Sequence, residues 1–343
     1  MENLSEWRIF IMLNVAVIGL GRLGRWHVMN LQKIKYINII SVCDYSLEVA
    51  QAVATESGIP LFTNNVDEIM NNEQVQAVVI VTPTSTHYEI ILKAIAAKKA
   101  IFVEKPLTID MEESLLIQQE IDKSGVFCQV GFMRRFDQDY VEAKRMIEEG
   151  AIGKPLYFKG ISRDPVAPDL SFIPGSGGLY IDLCIHDYDL ARFLMGAEVQ
   201  AVSAFGCNIK YPEFAQYDDV DQGFTHLQFA NGAAGDIEGS RCAYYGYDIR
   251  TEIIGSEGTL LIGSTKKSNV NILTPKGNLH EIIPAFPQRF ESAYVNELSA
   301  FAEAVMNGAL SPVTVEDSIK ALQIAYTATA SFKDQGKIIT IEH

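Results

Sequence analysis

Two short stretches of this sequence combine side chains able to move a proton at neutral pH. The first is Ala100-Ile101-Phe102-Val103-Glu104-Lys105-Pro106, an apolar run that ends in a carboxylate, an ammonium and a proline. If the run is a buried strand, Glu104 and Lys105 sit at its carboxyl end, where ligands bind in doubly wound folds. Pro106 then keeps Lys105 out of helical geometry. The second is Asp182-Leu183-Cys184-Ile185-His186, behind a glycine-rich Gly175-Ser176-Gly177-Gly178. A helix would set Asp182 and His186 on one face, and a carboxylate beside an imidazole orients it and raises its basicity. That is the equipment of a general base acting on an alcohol. Each stretch taken alone also admits a structural reading, as a surface Glu-Lys pair or as a core histidine. Asp182 and His186 have no third and fourth partners nearby in sequence, so no metal is expected.

These residues need a scaffold, and the first third of the chain describes one. Apolar runs at Leu13–Ile18, Asn38–Cys43, Ala77–Val81, Ala100–Val103 and Phe127–Gly131 alternate with helical patterns. The strands are almost continuously apolar, as a parallel sheet covered on both faces requires. Ser46 and Gly58 bracket one helix, and Asp110 and Gly125 another. The first strand runs into Gly19-Leu20-Gly21-Arg22-Leu23-Gly24 and then a helix, and Asp44 follows Gly24 by 20 positions at the end of the second strand. Gly19 suits a tight turn, Gly21 a close approach of pyrophosphate to backbone, and Gly24 helix–strand packing. The amides of Arg22 and Leu23 then face the phosphates. Asp44 accepts from the ribose hydroxyls and repels a 2′-phosphate, which favours NAD over NADP. Thr82 and Pro83, with His87 at the start of the next helix, are expected along the cofactor cleft, as are Glu104 and Lys105.

Beyond Arg135 the pattern changes to strands in succession: Leu156–Ile161, Val199–Cys207, Gly223–Phe229, Ala233–Ser240, Ile249–Ile254 and Thr259–Ile262. Helices are expected over Asp137–Glu149, Ile185–Leu194, Ala293–Met306 and Val315–Phe332. The fold class is therefore an α/β Rossmann domain, residues 1–133, followed by an α+β domain with a large open, mainly antiparallel sheet, residues 134–343. Few helices are left to cover that sheet, so its free face is expected to build a homo-oligomer.

With these elements in order, the chain resembles the oxidoreductase family named after glucose–fructose oxidoreductase, inositol dehydrogenase and rhizopine catabolism protein (Gfo/Idh/MocA), from about Leu13 to Ile341. Within it, Phe132-Met133-Arg134-Arg135-Phe136, Ser162-Arg163-Asp164-Pro165 and Tyr245-Gly246-Tyr247-Asp248-Ile249 are similar to the inositol 2-dehydrogenases. The resemblance implies that His186 takes the proton of a substrate hydroxyl, Asp182 supports His186, Lys105 hydrogen-bonds the reacting oxygen, and hydride passes to NAD. It implies a small polyol as substrate, with Arg134, Asp164 and Tyr247 gripping its other hydroxyls, and a homotetramer acting in inositol catabolism. Some inositol dehydrogenases resemble His-Arg-Asn-Pro where Asp164 stands here, which leaves the isomer open. An aldose, an anhydrosugar or a nucleotide sugar would serve the same mechanism. A binding protein that senses NAD would have no use for Lys105, Asp182 and His186 together.

Composition sets the outer limits. Acidic residues outnumber basic ones 43 to 28, for a net charge of −15, which argues against nucleic acid as a partner. No apolar run reaches the roughly 20 residues that span a bilayer. The first residues read as neither anchor nor secretory signal, and Met12 could serve as the start in place of Met1. Cys43, Cys128, Cys184, Cys207 and Cys242 are odd in number and widely spaced, so they are expected to be reduced core residues in a cytoplasm. His27, His226, Trp7 and Trp26 are read as structural.

Overall fold

The computed structural model describes residues 12–342. Its first unit contains β1 (Leu13–Ile18), α1 (Arg22–Leu31), β2 (Ile37–Cys43), α2 (Leu47–Ser57), β3 (Leu61–Thr63), α3 (Val66–Asn71), β4 (Ala77–Ile80), α4 (His87–Ala96), β5 (Ala100–Glu104), α5 (Met111–Ser124) and β6 (Cys128–Gly131). The six strands form one sheet in the order β3-β2-β1-β4-β5-β6, with parallel neighbours. Side chains alternate between its faces. Val15, Val17, Val79 and Phe102 join one apolar cluster, while Ala16, Ile18, Val78 and Val103 join the other. Burial on both faces explains why these strands read as unbroken apolar runs. The expected caps are in place: Ser46 Oγ accepts from Val49 N–H, and Asp110 accepts from the amides of Glu112 and Glu113. The sixth strand, β3, was not expected; with two of its three residues exposed, it lacks the apolar signal of the others.

The second unit follows with α6 (Gln138–Glu148), β7 (Pro155–Arg163), the short helices α7 (Ile173–Ser176) and α8 (Leu179–Asp182), α9 (Ile185–Met195), β8 (Val199–Cys207), β9 (Gln222–Phe229), β10 (Ala234–Ser240), β11 (Asp248–Gly255) and β12 (Thr259–Ile262). A hairpin, β13 (Lys266–Thr274) and β14 (Gly277–Ile282), then leads to α10 (Phe286–Asn307), α11 (Val315–Lys333) and β15 (Ile339–Thr340). Seven strands order as β12-β11-β7-β10-β9-β8-β15, all antiparallel pairs except β7 with β10. Helices α8, α9 and α11 cover one face. The other carries exposed Phe205, Phe224 and His226 beside a bidentate Arg163–Glu238 pair at 2.6 and 2.8 Å.

The chain does not divide cleanly in space at residue 133. Helix α10 returns to the first sheet, where Leu298, Phe301 and Ala302 complete the cluster around Val15 and Phe102. It also begins earlier than expected, because a kink at Phe290 joins two helical segments. Trp26 packs against Phe286 and Tyr294 at this seam; Trp7 and Met1 lie outside the described residues. Three cysteines are buried as expected, but Cys207 is exposed at the end of β8 and Cys242 is half-buried. Among the described residues no helix is long and apolar enough to cross a membrane.

Candidate active site

Just past the carboxyl end of β5, Lys105 meets the segment that carries α8 and α9. Gly19 has φ +93°, and a Cβ there would lie 2.7 Å from the Val81 carbonyl oxygen. One on Gly24 would lie 1.9 Å from the carbonyl oxygen of Gly19. A Cβ on Gly21 would meet no protein atom within 4 Å, so this side of the turn is open. Gly21 also precedes α1 with no side-chain cap, which leaves the first amides of the helix for an anion. The turn thus fits a dinucleotide pyrophosphate on geometric grounds. Asp44 stands beside it: its carboxylate accepts from the Leu20 amide at 2.7 Å and the Ser46 amide at 3.0 Å. It therefore braces the glycine turn.

Two expected cofactor contacts take a different form. His87 is buried, with Nδ1 near the carbonyl oxygens of Pro106 and Leu107 and Nε2 3.0 Å from that of Thr82. It staples the turn after β4 to the turn after β5 and leaves Thr82 and Pro83 as the residues beside the cleft. Glu104 is buried too and meets His27 of α1, not open space. A buried strand end hides its last polar residue unless that residue lies beyond the sheet, which is where Lys105 lies.

Lys105 Nζ donates to the Asp182 carbonyl oxygen at 2.7 Å and to Asp182 Oδ1 at 3.3 Å. Asp182 Oδ2 accepts from Arg241 Nη2 at 3.1 Å, and Arg241 Nη1 lies 3.7 Å from Asp164 Oδ2. This corrects the reading of Asp182 as the support of His186. The four-residue spacing is broken, because α8 ends at Asp182 and α9 starts afresh at Ile185. The carboxylate turns to the two cations. Burial alone would raise its pKa, but Lys105 and Arg241 outweigh burial and hold it below the usual carboxylate range. Asp164 has the weaker grip, and burial lifts it to about 6 against the pull of Arg241.

His186 is 8% exposed, edge-on to Phe132 at 6.0 Å, and its Nδ1 has no hydrogen-bond partner among the described residues. Burial first, then the charges of Lys105 and Arg134, push its pKa well below the ordinary histidine value. A neutral imidazole at neutral pH can accept a proton, and the nearby cations favour giving it up again.

Arg134, expected at a substrate, is almost wholly buried. Its Nη1 donates to Asp187 Oδ1 and Ser162 Oγ, both at 3.0 Å, while Nε and Nη2 lack partners among the described residues. Its carboxylate partner is Asp187, not Asp164. Tyr247 is buried against Phe290, and burial raises its hydroxyl's pKa, with Arg134 opposing. Arg241 is the functional candidate that the sequence reading missed. It follows the last residue of β10, and its place just past a strand end was the available signal.

A nucleotide-binding sheet whose reactive edge faces a second α/β unit defines a two-domain oxidoreductase. The chain belongs to that family: residues 13–132 match the description "Oxidoreductase family, NAD-binding Rossmann fold" and residues 144–340 match "Oxidoreductase family, C-terminal alpha/beta domain". It is 48% identical over 320 residues to a scyllo-inositol 2-dehydrogenase (NAD(+)) of Bacillus subtilis, covering 93% of this chain and 94% of the relative. It is 33% identical to a myo-inositol 2-dehydrogenase of Thermotoga maritima, covering 95% and 98%. A solved scyllo-inositol dehydrogenase from Lactobacillus casei with bound NAD(H) and scyllo-inositol superposes with a TM-score of 0.91 at 30% identity, over 96% of this chain and 99% of that one.

Proposed function

We propose that this chain oxidises one ring hydroxyl of an inositol, myo-inositol or a stereoisomer such as scyllo-inositol, to the inosose with NAD. The observation that carries the reading is the meeting of Lys105, from the end of β5, with the segment that holds Asp182 and His186. Bound in the glycine turn, NAD supplies the acceptor for the substrate's hydride. His186, held neutral by burial, takes the hydroxyl proton. Lys105 donates to the oxygen as negative charge develops on it, and a preformed donor in a part-buried site is worth far more than one in water. Asp182 holds the Lys105 ammonium in place, and Arg241 keeps Asp182 ionised. Asp164 and Tyr247 supply acceptor and donor for the remaining ring hydroxyls, with the buried Arg134 guanidinium beside Tyr247.

The same proposal takes residues 1–133 as the cofactor domain and 134–343 as the substrate and assembly domain, in a cytoplasmic homotetramer. The open face of the second sheet, with Phe205 and Phe224 exposed beside paired charges, supports assembly through that face. Initial-rate NAD reduction at alkaline pH against myo-, scyllo- and chiro-inositol, glucose, xylose and levoglucosan, with NADP alongside, tests the substrate. The expected result is turnover of an inositol with NAD. Turnover of an aldose or anhydrosugar alone would overturn the substrate, and NAD binding without any turnover would favour a sensor.

A further inference from the structure

Behind Lys105 lies a buried pair that the chemistry above does not use. His27 Nε2 is 2.6 Å from Glu104 Oε1, with side-chain exposures of 0% and 8%. The imidazole is wedged 5.6 Å from the Phe102 ring and edge-on to Tyr294 at 5.7 Å, so it cannot swing aside. The second carboxylate oxygen of Glu104 accepts the Lys105 backbone N–H at 3.2 Å. Room for this carboxylate is left by the next strand, since a Cβ on Gly131 would come 3.1 Å from Glu104 Oε2. Glu297 of α10 closes the cluster: it is fully buried, and neither of its carboxyl oxygens has a hydrogen-bond partner among the described residues. Burial, then the charge of Glu104, raises Glu297 well above the ordinary carboxylate value, which disfavours a second negative charge beside Glu104.

We propose that His27 is a positioning residue for the reaction: through Glu104 it fixes the backbone of Lys105, tying the helix of the cofactor turn to the ammonium that meets the substrate oxygen. The inference rests on the role given to Lys105 above. A lysine side chain is long and flexible, so the place of its ammonium depends on how firmly its backbone is held. A misplacement of about 1 Å can cost roughly 100-fold in rate. The short hydrogen bond between His27 and Glu104 is itself buried, away from open space. Packing alone would need an aromatic ring at this position but not a donor.

A double-mutant cycle separates positioning from packing. His27→Phe, Lys105→Ala and the double variant are assayed for kcat and KM, with NADH affinity measured by fluorescence. His27→Phe should lower kcat by at least about tenfold, with polyol KM and NADH affinity within about threefold of wild type. In the Lys105→Ala background the same change should alter kcat by less than about threefold. His27→Gln, whose amide can donate from the place of Nε2, should restore most of kcat. Equal losses in both backgrounds, or a loss confined to NADH affinity, would overturn the proposal while leaving Lys105 in its role. A Lys105→Ala enzyme of undiminished kcat would overturn both. If His27→Phe does not fold, Glu104→Gln enters the same cycle, because it keeps the shape and removes the charge; an effect on kcat independent of Lys105 again overturns the proposal.

Discussion

Two clusters of arginine and aspartate lie within a few residues of each other and are built on opposite terms. In the cleft, Lys105, Arg241, Asp182 and Asp164 meet at 3.1 to 3.7 Å, and His186 beside them has an unpartnered ring nitrogen. One layer in, Arg135 grips Asp189 at 2.5 and 2.8 Å and reaches Asp317 at 3.1 Å, while Arg192 joins Glu198 to the same Asp317. The inner cluster spends its hydrogen-bonding capacity on itself and pins α9 to the start of α11. The cleft cluster keeps capacity in reserve for a ligand. The contrast teaches that a charged network is a site when its geometry is left incomplete, and a strut when it is closed.

The largest expected effect breaks the cleft cluster. His186→Ala should lower kcat by roughly 10²- to 10⁴-fold, the usual loss of a general base, with NAD affinity unchanged by calorimetry. Unimpaired turnover would remove His186 from the reaction. The inner cluster should fail in the opposite sense. Asp189→Ala leaves the buried Arg135 with Asp317 as its remaining carboxylate and should cost up to about 3–5 kcal/mol in urea unfolding, with activity per folded molecule nearly intact. A loss of turnover without a loss of stability would show that the two clusters are not separable.

Asp164 sharpens the comparison through pH. With its carboxyl at about 6, it is ionised above that pH and protonated below, so kcat/KM should rise through pH 6 to a plateau. His186 should not contribute to that limb, because burial keeps it neutral to well below the ordinary histidine value. Asp164→Asn should raise the polyol KM and erase the rise near pH 6; an unchanged limb would assign it to another group. The smallest effect belongs to Glu297, whose folded pKa is raised above the ordinary 4.5. Such a group takes up a proton on folding, so its contribution is present at low pH and is lost as pH rises from about 4.5 toward the folded value. Glu297→Gln should remove that part of the slope in unfolding free energy measured at pH 5 and pH 8 and leave stability at pH 8 equal or higher. A strongly destabilised variant would mean that Glu297 is charged and paired.

Periodicity and punctuation made the first sheet legible. Val15, Val79 and Phe102 stand in unbroken apolar runs because both faces are covered, and Ser46, Gly58, Asp110 and Gly125 cap their helices by purely local hydrogen bonds and backbone angles. The hairpin β13–β14 was invisible for the reverse reason: all nine residues of β13 are exposed, so burial imposes no pattern on them.

By itself the sequence determined which residues could do chemistry and on which elements they ride: Gly19, Gly21 and Gly24 in the first turn, Lys105 at the end of β5, Asp182 and His186 behind a glycine-rich loop. Those features are local, set by strand ends, turn angles and helix starts within a few residues. Only the tertiary structure decided the pairings. Asp182 turned from His186 to Lys105 and Arg241, Arg134 went to Asp187, and Glu104 went to His27. Each joins residues 53 to 77 positions apart, and a buried charge takes whichever counter-charge the packing brings within about 3 Å.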